Sequence, residues 1–109
     1  MDFFLNPKPT FNCPVTLSVP EGKGTADVEF TFNYKDKEAL DAWFKKYKNK
    51  PTVDALLEVI NGWGVLDDAG AKAEISKDNL IILNKKYPRS LSEILTAYLN
   101  ALQDSRAKN

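Results

Sequence analysis

Hydrophobic and polar positions alternate twice in the first third of the chain. Val15, Leu17 and Val19 are separated by Thr16 and Ser18. After Pro20-Glu21-Gly22-Lys23-Gly24 the alternation resumes, with Val28, Phe30, Phe32 and Tyr34 set against Glu29, Thr31 and Asn33. A period of two sends successive side chains to opposite faces of a strand. Two such runs around a Gly-rich turn predict an antiparallel β-hairpin over residues 14–34 with one buried face. The large apolar side chains of that face require a cover.

The period lengthens after Asp36. Leu40, Trp43, Phe44 and Tyr47 fall at i, i+3, i+4 and i+7, the apolar stripe of a helix, with acidic residues at its start and lysines at its end. Pro51 interrupts the chain, and Thr52 is placed to cap a second helix carrying Val53, Leu56, Leu57 and Ile60, which Asn61-Gly62 ends. A polar loop follows. Ser76 is placed to cap a third helix with Leu80, Leu83 and Tyr87 on one side, ended by Pro88. Ser90-Leu91-Ser92-Glu93 has the form of a capping box, opening a last helix with Leu91, Ile94, Leu95, Tyr98, Leu99 and Leu102 on its apolar face.

The pattern as a whole predicts an α+β fold: an N-terminal antiparallel β-hairpin packed on about four α-helices. A single domain over 1–109 is expected, with an extended arm over 1–13, the hairpin over 14–34, a helical part over 36–103 and a frayed polar tail over 104–109. Pro7, Pro9 and Pro14 make the arm extended and irregular, and Phe3, Phe4, Leu5 and Phe11 are expected to anchor it.

Composition narrows the chemistry. The chain is 43% hydrophobic and 28% charged, which suits a folded domain, and it carries 15 basic against 15 acidic side chains. That balance provides no overall positive field for nucleic acid or an anionic membrane. Histidine is absent, which removes Ser–His and Cys–His nucleophile pairs and the commonest zinc ligand. The one cysteine, Cys13, cannot form an internal disulfide and reads as an ordinary thiol in a reducing compartment. No apolar run is long enough to span a membrane, and the opening residues lack the form of a signal peptide, so the expected location is the cytoplasm.

Four local patterns bear on the chemistry. Gly22-Lys23-Gly24-Thr25 lacks the spacing of a phosphate-binding loop and reads as a hairpin turn. Asp67, Asp68 and Glu74 lack the spacing of a calcium loop, so no metal site is assigned. Lys45, Lys46, Lys48 and Lys50 lie beside Trp43 and Tyr47, which would suit a small nucleic-acid-binding regulator, but those aromatics share the apolar stripe with Leu40 and favour a solvated helix end. Trp63, between two glycines, is either a core residue beneath the loop or an aromatic anchor for a partner. An enzyme using carboxylates or lysine is the weakest reading. No cofactor, catalytic residue or small-molecule substrate is expected.

Several segments together resemble a known family. Asn6-Pro7-x-Pro9-Thr10-Phe11, Pro14-Val15-x-Leu17-x-Val19-Pro20 and Val28-Glu29-Phe30-Thr31-Phe32 are similar to the opening of the small phage tail assembly chaperones. Ile60-Asn61-Gly62-Trp63 resembles that family's Gly-Trp element, and Tyr87-Pro88 with Ile94-Leu95-x-Ala97-Tyr98-Leu99-x-Ala101-Leu102 resembles its closing helix. The Asp67–Glu74 loop departs from the shorter, more acidic link of that pattern.

The resemblance implies a chaperone, made in a bacterium carrying a phage or prophage, that binds the tape measure protein and keeps it soluble until tail tube protein polymerises around it. Binding would be by apolar surface, without catalysis. Trp63, Leu95, Tyr98, Leu99 and Leu102 are the candidate partner-binding residues, because the last helix carries more apolar positions than one small core needs. Tail tube protein is a second candidate partner. The sequence also allows a homo-oligomer and leaves the oligomeric state open.

Overall fold

The computed structural model describes residues 3–103. The expected frayed tail, 104–109, lies outside the described residues, as do Met1 and Asp2. Three strands and four helices follow in the order β1 (Thr10–Ser18), β2 (Thr25–Asn33), α1 (Lys37–Tyr47), α2 (Val53–Val59), β3 (Ile60–Trp63), α3 (Lys77–Lys86) and α4 (Ser90–Gln103). The fold is α+β, with one antiparallel sheet in the order β1-β2-β3.

The hairpin register explains the core. Phe11 faces Phe32, Cys13 faces Phe30, Val15 faces Val28 and Leu17 faces Ala26. These positions share one side of the sheet, and Cys13, Val15, Leu17, Phe30 and Phe32 are buried there. Full burial of one such large apolar side chain stabilises a fold by about 1.5–3 kcal/mol. The opposite side is polar: the Thr16 hydroxyl donates to Asp27 at 2.7 Å and the Thr31 hydroxyl to Asn12 at 2.7 Å. The turn needs left-handed backbone at Glu21, Gly22 and Gly24 (φ 66°, 71° and 86°), which glycine adopts without steric cost.

β1 begins at Thr10, so the extended arm is shorter than the sequence pattern suggests. Pro14 lies inside the strand, and the ladder shows why it is tolerated. Pro9 O accepts from Tyr34 N at 2.8 Å and Gly24 O accepts from Val19 N at 2.9 Å. By alternation, odd-numbered residues of β1 bond β2, and even-numbered ones turn their backbone to the free edge. Pro14 is even-numbered, so its missing N–H breaks no ladder bond.

β3 is the element the sequence pattern does not reveal. Helix α2 stops at Val59, and Ile60–Trp63 pairs with β2 through Ile60–Phe32, Gly62–Thr31 and Trp63–Phe30, with a bulge between Thr31 and Phe32. The second edge of β2 is thereby covered. The helix starts agree with the expected caps at Thr52 and Ser76, and Asp36 caps α1 in the same way. Asp36, Thr52 and Ser76 each accept a bond from the backbone N–H three residues on, at 2.8, 3.1 and 3.1 Å.

The capping box at Ser90 does not form. The α4 register already runs through Arg89, whose carbonyl accepts from Glu93 N at 3.0 Å. Ser90 is buried and its hydroxyl lies 3.5 Å from Leu83 O of α3. The Glu93 carboxylate instead reaches the end of β1, accepting from Ser18 N at 3.0 Å and from the Ser18 hydroxyl. The arm anchor is corrected as well. Phe11 stacks on Tyr98 with ring centroids 6.1 Å apart, but Phe3, Phe4 and Leu5 are exposed.

Candidate functional site

A protein-binding surface needs accessible apolar side chains, and the open side of the sheet, lined by Asn12, Thr16, Asp27 and Thr31, offers few. The apolar side is occupied by helices. α4 lies along β1, and its Leu91, Ile94, Leu95 and Tyr98 are buried. Tyr98 is the centre of an aromatic cluster, with ring centroids 5.0 Å from Phe32 and 5.7 Å from Trp43. Its hydroxyl donates to Asn33 O at 2.8 Å. Burial pushes the Tyr98 phenol up from its ordinary value, and the negative charge of Glu58 adds to the shift.

The five candidate residues therefore divide. Trp63, Leu95 and Tyr98 lie in the core, where Trp63 meets Phe30 edge-on at 6.0 Å and its indole N–H donates to Ala73 O at 2.8 Å. Leu99 and Leu102 are half-buried near the end of α4. Leu102 and Ala101 form one wall of an open cleft of about 630 Å³, with Phe11, Tyr34 and the arm residues Pro7 and Lys8 around it.

A second concavity of about 580 Å³ opens beside β3. Its floor is Trp63 and Leu83, and its rim carries Leu66, Ile82 and Tyr87, which are 59%, 52% and 37% exposed. The loop after β3 builds one wall. Val65 O accepts from Ala73 N at 2.8 Å, Asp67 N donates to Ala71 O at 2.7 Å, and Asp67 Oδ1 receives Ala69 N and Ala71 N at 2.9 and 3.0 Å. The segment is thus a small hydrogen-bonded turn that presents Asp67, Asp68 and Glu74 to the groove. Among the described residues no group of three His, Cys, Asp or Glu is placed to hold a metal ion.

Sequence reasoning missed this groove. Its signal was Ile82, which cannot share the α3 stripe of Leu80 and Leu83 at 100° per residue. Tyr87, expected on that stripe, is the residue that ends the helix and lies at the rim.

The lysine cluster is solvated and its aromatic neighbours turn inward. Lys45, Lys46, Lys48 and Lys50 are exposed, while Trp43 is buried with its indole N–H on Ala55 O at 3.1 Å and Tyr47 is half-buried. Lys46 sits 5.2 Å from the Tyr47 ring centroid and 3.8 Å from Glu58, and these neighbours, Tyr47 first, raise its pKa. Trp43 is therefore turned away from the lysines, and the Tyr47 ring already has Lys46 against it.

A hairpin against four helices, two open concavities and an aromatic core are the frame within which the family comparison is decisive. A family model described as phage tail assembly chaperone matches residues 1–109. The chain belongs to that family. No curated protein and no solved structure matches the chain significantly. The match supports a tail assembly chaperone role and points to a phage tail protein as partner; the family is not an enzyme family. Among the described residues no helix of this chaperone is long and apolar enough to cross a membrane.

Proposed function

We propose that this chaperone binds the tape measure protein of its phage and keeps it soluble, in the cytoplasm of the bacterial host, until tail tube protein assembles around it. The observation that carries the reading is the cleft at the end of α4. Leu102 remains half-buried in the cleft beside Phe11 and Tyr34, and Leu99 earlier on the helix is half-buried too, while Leu91, Ile94, Leu95 and Tyr98 of the same helix are buried. An apolar helical stripe on a long scaffold protein would find there a surface of matching character and would be shielded from self-association. Tyr98, stacked on Phe11, supports that surface from beneath, whereas Trp63 and Leu95 are core residues outside the cleft lining and take no direct part.

Co-expression with the tape measure protein of the same phage tests the reading. The expected result is a soluble complex recovered on co-purification, with the tape measure protein insoluble when expressed alone. Failure to co-purify when both proteins are folded overturns it.

A further inference from the structure

The cleft at the end of α4 offers too little apolar surface to hold a partner by itself. Its apolar walls Phe11, Ala101 and Leu102 are half-buried, and Tyr34 is 39% exposed. A specific protein contact covers about 800 Å² on each side, and the accessible remnants of these four side chains fall well short of that. Directly before the cleft residues Pro7 and Lys8 come Phe3, Phe4 and Leu5, consecutive and 97%, 69% and 93% exposed. Water disfavours that arrangement. The triplet supplies on the order of 500 Å² of further apolar area, which brings cleft and arm together close to what a specific contact needs.

The prolines keep the triplet off its own sheet. Odd-numbered residues on this side of the hairpin bond β2, and Pro7 and Pro9 are both odd-numbered. Pro9 gives the ladder only its carbonyl, which accepts from Tyr34 N at 2.8 Å. The next two donors are missing, so the arm cannot continue β1. Leu5 lies two residues and Phe3 four residues before Pro7, within at most about 7 and 14 Å of it. A helix with its side chains is about 10–12 Å across, so an arm of this reach spans the flank of a helix lying in the cleft.

The cleft favours a helix over an added strand. Even-numbered residues of β1 face the free edge, where Pro14 ends the run of donors after Thr10 and Asn12, whereas a helix bonds its own backbone. Among the described residues that line the cleft, Lys8 is the one charged group, and it is exposed. A carboxylate beside the apolar stripe of the helix complements it.

We infer that Phe3, Phe4 and Leu5 close over the cleft onto an amphipathic helix of the partner, which lays its apolar stripe against Phe11 and Leu102 and a flanking carboxylate against Lys8. The inference rests on the cleft as the seat of the tape measure protein. It adds a second wall to that seat and fixes the sign of the charge beside the bound stripe.

Photo-crosslinking in the full chain reads the contact directly. p-Benzoylphenylalanine is placed at position 4 in place of Phe4, and the chaperone is co-expressed with the tape measure protein of the same phage and irradiated. The expected cross-links fall on apolar positions of the tape measure protein spaced three or four residues apart, with Asp or Glu beside them. The same group in place of Thr16, on the opposite side of the sheet, gives none. Phe3→Ser/Phe4→Ser/Leu5→Ser lowers recovery of the tape measure protein at least about tenfold with an unchanged circular dichroism spectrum. Lys8→Glu lowers recovery, and Lys8→Arg restores it. Recovery by the arm variant or by Lys8→Glu equal to that of the parent overturns the inference and leaves the cleft reading standing. Cross-links from position 4 found only on a second copy of this chain do the same. A parent that recovers no tape measure protein overturns both.

Discussion

Glu93 on α4 closes the end of β1 by accepting from the backbone N–H of Ser18 at 3.0 Å and also from its hydroxyl. Ser18 is an even-numbered residue of β1, so its N–H points to the free edge and has no strand to bond. The carboxylate occupies that position and fixes the end of the strand to the helix. Glu93→Ala is expected to destabilise the fold by about 1–3 kcal/mol, because a charge-assisted bond is lost and a half-buried N–H is left without its partner. Ser92→Ala, at an exposed neighbour, is the control and is expected within about 0.5 kcal/mol of the parent. Urea denaturation checks both.

Tyr98 contributes a second long-range bond, to Asn33 O. Tyr98→Phe keeps the ring packed among Phe32, Phe11 and Trp43 but leaves the Asn33 carbonyl without its donor, for an expected loss of about 1–3 kcal/mol.

The raised Tyr98 pKa gives that loss a pH signature. In the folded state the phenol keeps its proton above the unfolded value of about 10, so the folded state binds more protons there. The stabilisation is complete below about pH 10 and declines as pH rises towards the folded value. Tyr98→Phe is therefore expected to flatten the fall in stability above about pH 10, read from denaturation midpoints between about pH 8 and 11.

Pro14 protects an edge rather than stabilising a ladder. Pro14→Thr would place an N–H on the free side of β1, next to Asn12 and Thr16, without disturbing the bonds to β2. The melting temperature is expected to change little, whereas aggregation during prolonged incubation near the midpoint is expected to rise, because the edge becomes a better template for strand addition. Light scattering measures the second effect.

A substitution at Leu102 tests the proposed contact apart from folding. It is half-buried at the cleft, so Leu102→Asp is expected to leave the circular dichroism spectrum unchanged and to reduce recovery of the tape measure protein at least tenfold in co-purification. Leu95→Asp, which puts a charge in the core, is expected to unfold the chain instead. Equal loss of complex from a folded Leu102 variant and from an exposed residue of the opposite sheet face, such as Thr16→Asp, would contradict the cleft as the contact.

Much of the frame was legible because it is written in local periodicity. The alternation from Val15 to Phe32 located the hairpin. The stripe from Leu40 to Tyr47 located α1, its acidic start and basic end agreed with the helix dipole, and Thr52 and Ser76 marked two further helix starts by their capping chemistry. The ordered motifs from Asn6 to Leu102 pointed to the family that the whole-chain match shows. Ile60–Trp63 was not legible as a strand. Four residues containing Asn-Gly carry no alternation, and they are extended because β2 has a second edge to satisfy.

The sequence by itself determined the α+β class, the apolar side of the hairpin, the inward placement of Trp43 and the lack of histidine-based chemistry. Each follows from residue type and short-range spacing. Only the tertiary structure decided which apolar residues remain for a partner. Trp63 and Tyr98 are core residues because β3 aligns with Phe30 and α4 crosses above Phe32, contacts made between segments tens of residues apart. The same packing took Glu93 from its expected cap to Ser18, left Phe3, Phe4 and Leu5 without cover, and raised Ile82 and Tyr87 to the rim of a groove. A helical or strand period states which side of an element is apolar; whether that side meets the core or another molecule depends on what the rest of the chain places against it.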